Sequence, residues 1–189
     1  GYLLPHADPV MKVSIVARGM AGGYTRSIPA EDRHMMTKAQ FKDMMAMALA
    51  GRISEEMIFH ETTTGASNDL ETATHMARNM VTRYGMSEKL GTRTFGQRDE
   101  MVFLGRQISE QRDYSDHVAE LIDQEVHELI QAAHQTATDL LEANKAKLVQ
   151  LARHLITHET IEGDELNKLF ASEAPPLEME TEAAPATSD

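Results

Sequence analysis

The 189-residue sequence predicts a mainly α-helical domain that carries one small β-hairpin. Apolar residues recur at helical spacing through most of the chain from residue 37 to residue 170, a glycine-punctuated stretch at 85–112 excepted. Period-two alternation is confined to residues 10–28. The apolar complement includes thirteen methionines and no tryptophan, which suits an adaptable helical core.

Composition narrows the function classes. With 41% hydrophobic residues the chain can bury one good core, with at most a small annex. A net charge of −12 argues against nucleic acid, whose binding rests on Lys and Arg neutralising phosphates. The absence of cysteine removes disulfides, Cys zinc sites and thiol nucleophiles. No apolar run approaches the ~20 residues needed to span a bilayer, and no signal-peptide pattern is present, so the chain reads as soluble.

Gly1-Tyr2-Leu3-Leu4 is apolar, with no initiator Met and no cap, and reads as the tail of an element that starts earlier. In the hairpin, Val13, Ile15 and Ala17 alternate with Lys12, Ser14 and Val16. The glycines between Arg18 and Gly23 permit a reversal, and Tyr24-Thr25-Arg26-Ser27-Ile28 returns. An exposed hairpin edge has unpaired amides and carbonyls and can add an extended peptide as a further strand. The alternative is an edge guarded by Lys12, Arg18 and Arg26.

Thr37-Lys38-Ala39-Gln40 has the form of a capping box and predicts a helix start. Phe41, Met44, Met45, Ala48, Leu49, Ile53 and Met57 continue it as one stripe. Gly51 inside that helix costs up to ~1 kcal/mol unless another backbone approaches there. The methionines at 35, 36, 44, 45 and 47 read as core filler.

Thr62-Thr63-Thr64-Gly65-Ala66-Ser67-Asn68-Asp69-Leu70-Glu71 joins this helix to the next. Asn68 is the expected cap, accepting from the Glu71 amide, which places Asp69 at the first helical position. Leu70, Ala73, Ala77, Val81 and Tyr84 follow, and Asp69 is expected at the end of the inward-facing stripe. An acid in a first helical turn is stabilised by the macrodipole, by ~0.3–1 kcal/mol. The sharper alternative is an oxygen ligand for a metal held by residues elsewhere. Spacing alone does not promote it.

The C-terminal third holds a long stripe from Val118 to Leu141 that relaxes near Asn144 and resumes from Leu148 to Ile156. Two helices, or one bent one, fit it. Ile161-Glu162-Gly163-Asp164 turns the chain into a short last helix through Phe170. Residues 172–189, with three prolines and acids but no basic residue, read as a disordered acidic tail after a domain over 1–171. His154 and His158 have the spacing of two metal ligands on one helix face. A zinc-protease motif needs Glu directly after the first His, and Leu155 stands there.

Several stretches, taken together and in order, resemble the peptidase domain of FtsH-type ATP-dependent zinc metalloproteases. They are Leu4-Pro5-His6-Ala7-Asp8-Pro9-Val10, Lys12-Val13-Ser14-Ile15, Arg18-Gly19, Gly23-Tyr24-Thr25 and Gly51-Arg52 with Glu55-Glu56. Thr63 to Glu71, Met80-Val81-Thr82, Gly85-Met86-Ser87 and Phe103-Leu104-Gly105-Arg106 continue the match. Tyr114-Ser115, Ile122-Asp123, Glu125-Val126 and His158-Glu159-Thr160-Ile161 complete it, so the resemblance covers about residues 2–170.

The resemblance implies a helical zinc-protease domain that forms the proteolytic part of a hexameric ring and degrades unfolded or membrane proteins. It implies a membrane anchor and an unfoldase module using ATP and Mg ahead of this domain. The protease would stand on the cytoplasmic side, or in an organellar matrix or stroma. Within the family a His-Glu-x-x-His helix supplies two zinc ligands and the general base, and the Asp matching Asp69 is the third ligand. The stretch matching Lys12, Val13, Ser14, Ile15, Val16, Ala17 and Arg18 holds substrate by strand addition. Nothing in these residues matches His-Glu-x-x-His, and Met11 replaces a His common at its position. The expectation is therefore a peptidase-domain share of a larger protease that begins just after the zinc helix and is inactive alone. The alternative is a pseudoprotease or ring-assembly module without chemistry.

Overall fold

The computed structural model describes residues 1–17, 22–28, 35–96 and 113–172. Arg18, the segment 97–112 and the expected acidic tail from residue 173 on lie outside the described residues. The described chain folds as two compact units, Gly1–Val10 with Ile28–Ala143, and Met11–Ser27 with the residues from Asn144 on.

The first unit is helical. Helix α1 spans Lys38–Phe59, α2 spans Ser67–Thr82 and α3 spans Asp116–Ala143. The capping box forms as the sequence predicts: the Gln40 amide donates to Thr37 Oγ1 at 3.2 Å, and the Thr37 amide donates to Gln40 Oε1 at 2.8 Å. At the other end His60 takes a left-handed conformation and its N–H caps the Glu56 carbonyl.

Small and flexible side chains explain how the three helices share one core. Ala46 of α1, Ala73 and Ala77 of α2, and Ala133 and Ala137 of α3 are all buried in one cluster. Met45 and Met80, both fully buried, fill the space the alanines leave, with Leu4, Leu49 and Ile53 around them. The core-filler reading holds for Met45 alone in full: Met44 is half-buried, while Met35, Met36 and Met47 are exposed. Tyr84 is also exposed, and it stacks on Phe41 with ring centroids 5.4 Å apart. Gly51 has no atom within 4 Å of a notional Cβ, so no backbone approach accounts for it.

After α2 the chain turns through Gly85, Gly91 and Gly96, all at positive φ, where glycine is the low-cost residue. Phe95 folds back, its amide donating to the Thr82 carbonyl at 2.8 Å, and packs with Val81 and Ile122. Tyr114 meets the Phe95 ring edge-on, and the Arg93 guanidinium lies 4.5 Å from its centroid.

The second unit is α/β. Strands β1 (Val10–Ser14), β2 (Tyr24–Ser27) and β3 (Thr160–Glu162) form one sheet in the order β2-β1-β3. The hairpin expectation holds for β1 and β2, and β3 is an addition. It pairs antiparallel with β1 in the register Lys12↔Glu162, Val13↔Ile161 and Ser14↔Thr160. Helices α4 (Lys145–His158) and α5 (Gly163–Ala171) complete the unit, so the break near Asn144 gives two helices. Leu155, Ile161, Leu166 and Leu169 are its buried apolar residues. Lys147 Nζ donates to the carbonyls of Leu169 and Ser172 and so closes the C-terminus of α5.

Candidate functional site

Asp69 lies in the first turn of α2, as the third helical residue rather than the first. The difference comes from the cap. Asn68 does not cap, because a 3₁₀ turn over Thr64–Ala66 runs straight into α2 and the residue before the helix makes no side-chain cap bond. Thr63 caps the 3₁₀ turn instead, its Oγ1 accepting from the Gly65 amide at 3.1 Å. The Thr63 amide in turn donates to Glu55 Oε2 at 3.2 Å, and its hydroxyl donates to Glu55 Oε1 at 3.1 Å. The turn that leads into Asp69 is thus held by a carboxylate on α1.

The Asp69 residue is exposed, although it shares a face with the buried Ala73, Ala77 and Met80. The stripe ends one turn short of it. What it offers is a solvent-open carboxylate, which is a donor type that zinc accepts. Among the described residues no three His, Cys, Asp or Glu side chains come together to hold a metal. Asp69 fits zinc as one ligand, and the described residues do not supply a complete set.

The histidine pair on α4 is arranged as a stack. The His154 and His158 rings stack at 4.4 Å with planes 19° apart. Parallel stacked rings point their nitrogen lone pairs side by side instead of converging on one ion. His158 Nδ1 lies 3.2 Å from the His154 carbonyl oxygen, and His154 Nε2 lies 3.5 Å from Glu165 Oε1.

Lys12 to Ser14 lie in the central strand of the sheet, so over those residues β1 is flanked by β2 and β3. Pairing on the β3 side runs one residue further, with the Ile15 amide donating to the Glu159 carbonyl at 2.9 Å. Beyond it the Val16 amide turns back to Ser14 Oγ at 3.2 Å. Ile15 and Val16 present apolar side chains that are each 45% exposed. The open part of the stretch is therefore at Val16–Ala17, past the paired residues, with the Ile15 side chain exposed beside it.

One polar centre was not visible in the spacing. Glu125 of α3 is buried, and Ser87 Oγ donates to its Oε2 at 2.6 Å. Lys89 Nζ lies 3.0 Å from Glu125 Oε1 and also pairs with Glu128. Burial alone would push the Glu125 carboxyl up. The bonds from Ser87 and Lys89, with the charges of Lys89 and Lys38, outweigh burial and hold it below its ordinary 4.5. No apolar stripe predicts a buried acid, because its partners come from a loop.

The chain thus has a helical unit that presents a carboxylate at a helix start, joined in sequence to a small sheet. The family model of peptidase family M41 matches residues 1–169, and the chain belongs to that family. The chain is 54% identical over 173 residues to the "ATP-dependent zinc metalloprotease FtsH 1" of Sphaerobacter thermophilus, covering 92% of this chain and 26% of that protein. It is 54% identical over 177 residues to the protein of the same name from Thermomicrobium roseum, covering 94% of this chain and 27% of the relative. The Conexibacter woesei protein of that name is 49% identical over 185 residues, covering 98% of this chain and 28% of the relative. The chain spans about a quarter of the length of the curated relatives it matches. Among the described residues no helix is long and apolar enough to cross a membrane.

Proposed function

We propose that these residues work as the larger share of the peptidase domain of an ATP-dependent zinc endopeptidase, with Asp69 as its carboxylate zinc ligand. The observation that carries the reading is the exposed Asp69 carboxylate at the start of α2, on a turn anchored to α1 by Glu55 and Thr63. Relatives about half identical in sequence, each named an ATP-dependent zinc metalloprotease, support it.

Zinc, when bound, would act as a Lewis acid and lower the pKa of a coordinated water. The residues of this chain contribute around that centre. Asp69 supplies negative charge and a fixed oxygen donor. A catalytic zinc site takes three protein ligands and keeps one position open, so Asp69 needs two partners that the described residues do not bring beside it.

Substrate, in this reading, is an unfolded or membrane-derived polypeptide in extended form. Lys12, Val13 and Ser14 anchor the central strand. Ile15 and Val16 then offer exposed apolar side chains, and the chain from Ala17 on, with Arg18 next in sequence, offers backbone to an added peptide strand. The remaining parts of the proposal are a hexameric ring, an unfoldase module that uses ATP and Mg, and a membrane anchor. The protease faces the cytoplasm, or an organellar matrix or stroma.

The test is ATP-dependent, chelator-sensitive cleavage of unfolded casein by the full-length protein. Asp69→Asn should lower that rate by about a hundredfold or more, beyond the ~10–100-fold typical of outer partners of metal ligands. An Asp69→Asn protein that cleaves at the wild-type rate overturns the assignment.

A further inference from the structure

We propose that Glu55 is a positioning residue for Asp69, acting through Thr63. This inference rests on Asp69 being the zinc ligand.

Three bonds make the argument. Glu55 accepts from the Thr63 amide at 3.2 Å and from the Thr63 hydroxyl at 3.1 Å. The hydroxyl, its proton directed to the carboxylate, has a lone pair for the Gly65 amide at 3.1 Å. A relay of carboxylate, hydroxyl and amide therefore runs from α1 into the 3₁₀ turn.

At its far end that turn is held by the burial of Ala66 and by the Ser67 amide donating to the Thr64 carbonyl, with no side-chain bond. Helix α2 begins without a side-chain cap bond, and Asn68 leaves its own capping role unused. The direction in which the first turn of α2 sets out is then decided by the 3₁₀ residues before it. Fit around the relay is close: a Cβ on Gly65 would stand 3.2 Å from Thr63 Oγ1. Asp69 follows Gly65 by four residues, so a tilt of the turn carries over to its carboxylate. Metal ligands tolerate only a few tenths of an ångström of error, and outer partners that set their orientation are worth ~10–100-fold in affinity.

A merely structural role for Glu55 would lower stability without acting through Asp69, and a mutant cycle separates the two. Zinc affinity of the full-length protein is measured by chelator competition well below its melting temperature. Amide exchange at Gly65 is followed in the metal-free protein. Glu55→Ala and Thr63→Val should each weaken zinc by about 10–100-fold, and Thr63→Ser, which keeps the hydroxyl, should stay within about threefold. In an Asp69→Asn background, Glu55→Ala should add no further loss. Gly65 exchange should quicken in Thr63→Val and not in Thr63→Ser.

If Glu55→Ala fails to fold, the Thr63 pair carries the test alone. Wild-type zinc affinity in Thr63→Val and Glu55→Ala, with loss in Asp69→Asn, overturns the positioning role and leaves Asp69 as ligand. A full extra loss from Glu55→Ala on top of Asp69→Asn overturns it too. Unchanged zinc in Asp69→Asn sinks the ligand assignment itself, and the inference falls with it.

Discussion

Ser87 Oγ stands 2.6 Å from Glu125 Oε2, and this bond ties the loop after α2 to the middle of α3. The neighbouring Ser87–Leu90 turn uses the same hydroxyl as acceptor for the Leu90 amide at 3.0 Å. One serine therefore links a buried acid to a loop backbone.

The first prediction follows from that acid. Its folded pKa is depressed, so the unfolded chain binds the proton more readily and this contribution rises with pH. The stabilisation is present above the ordinary value of 4.5 and fades as pH falls through the folded value. Glu125→Ala leaves the buried Ser87 hydroxyl without its acceptor and should cost about 2 kcal/mol at pH 7. Chemical denaturation from pH 7 to pH 3 should show a smaller acid loss in Glu125→Gln than in wild type. Parallel curves would mean that Glu125 carries no special share.

The second concerns Gly51, an exposed glycine inside α1 with open space around it. Gly51→Ala should stabilise by about 0.5–1 kcal/mol, through helix propensity and a less flexible unfolded chain. Thermal melting should move up by a few degrees. A lower melting point would point to a neighbour that needs the space.

The third tests the sheet. Ser14 is buried with its hydroxyl 2.9 Å from Thr160 Oγ1, and it accepts from the Val16 amide. Ser14→Ala leaves both partners short and should cost about 1–2 kcal/mol. Amide exchange at Val16 should quicken while exchange at Met45 and Met80 stays slow at low denaturant. Uniform quickening everywhere would show that the hydroxyl matters only through global stability.

Local signals were legible and long-range ones were not. Thr37 and Gln40 lie within one turn, so their mutual capping could be read directly from spacing. Ala73 and Ala77 were legible as an inward stripe for the same reason. Asn68 looked like a cap on local rules, but Glu55, far back on α1, holds Thr63 and moves the start of α2. Strand β3 is only three residues long, too short to show a period, and it forms because Val13 and Ile161 pair across most of the chain. Glu125 is buried for partners that only the fold delivers. The metal role of Asp69 was carried by the ordered motifs and by no property of its spacing, since a first-turn acid needs no ligand to explain it.

The most direct measurement is a zinc-edge anomalous difference map from crystals of the full-length protein. With Asp69 as ligand, one peak per chain should stand about 2.0–2.2 Å from an Asp69 carboxylate oxygen. A fully occupied zinc peak held by other residues, with the Asp69 carboxylate turned away from it into solvent, would contradict it.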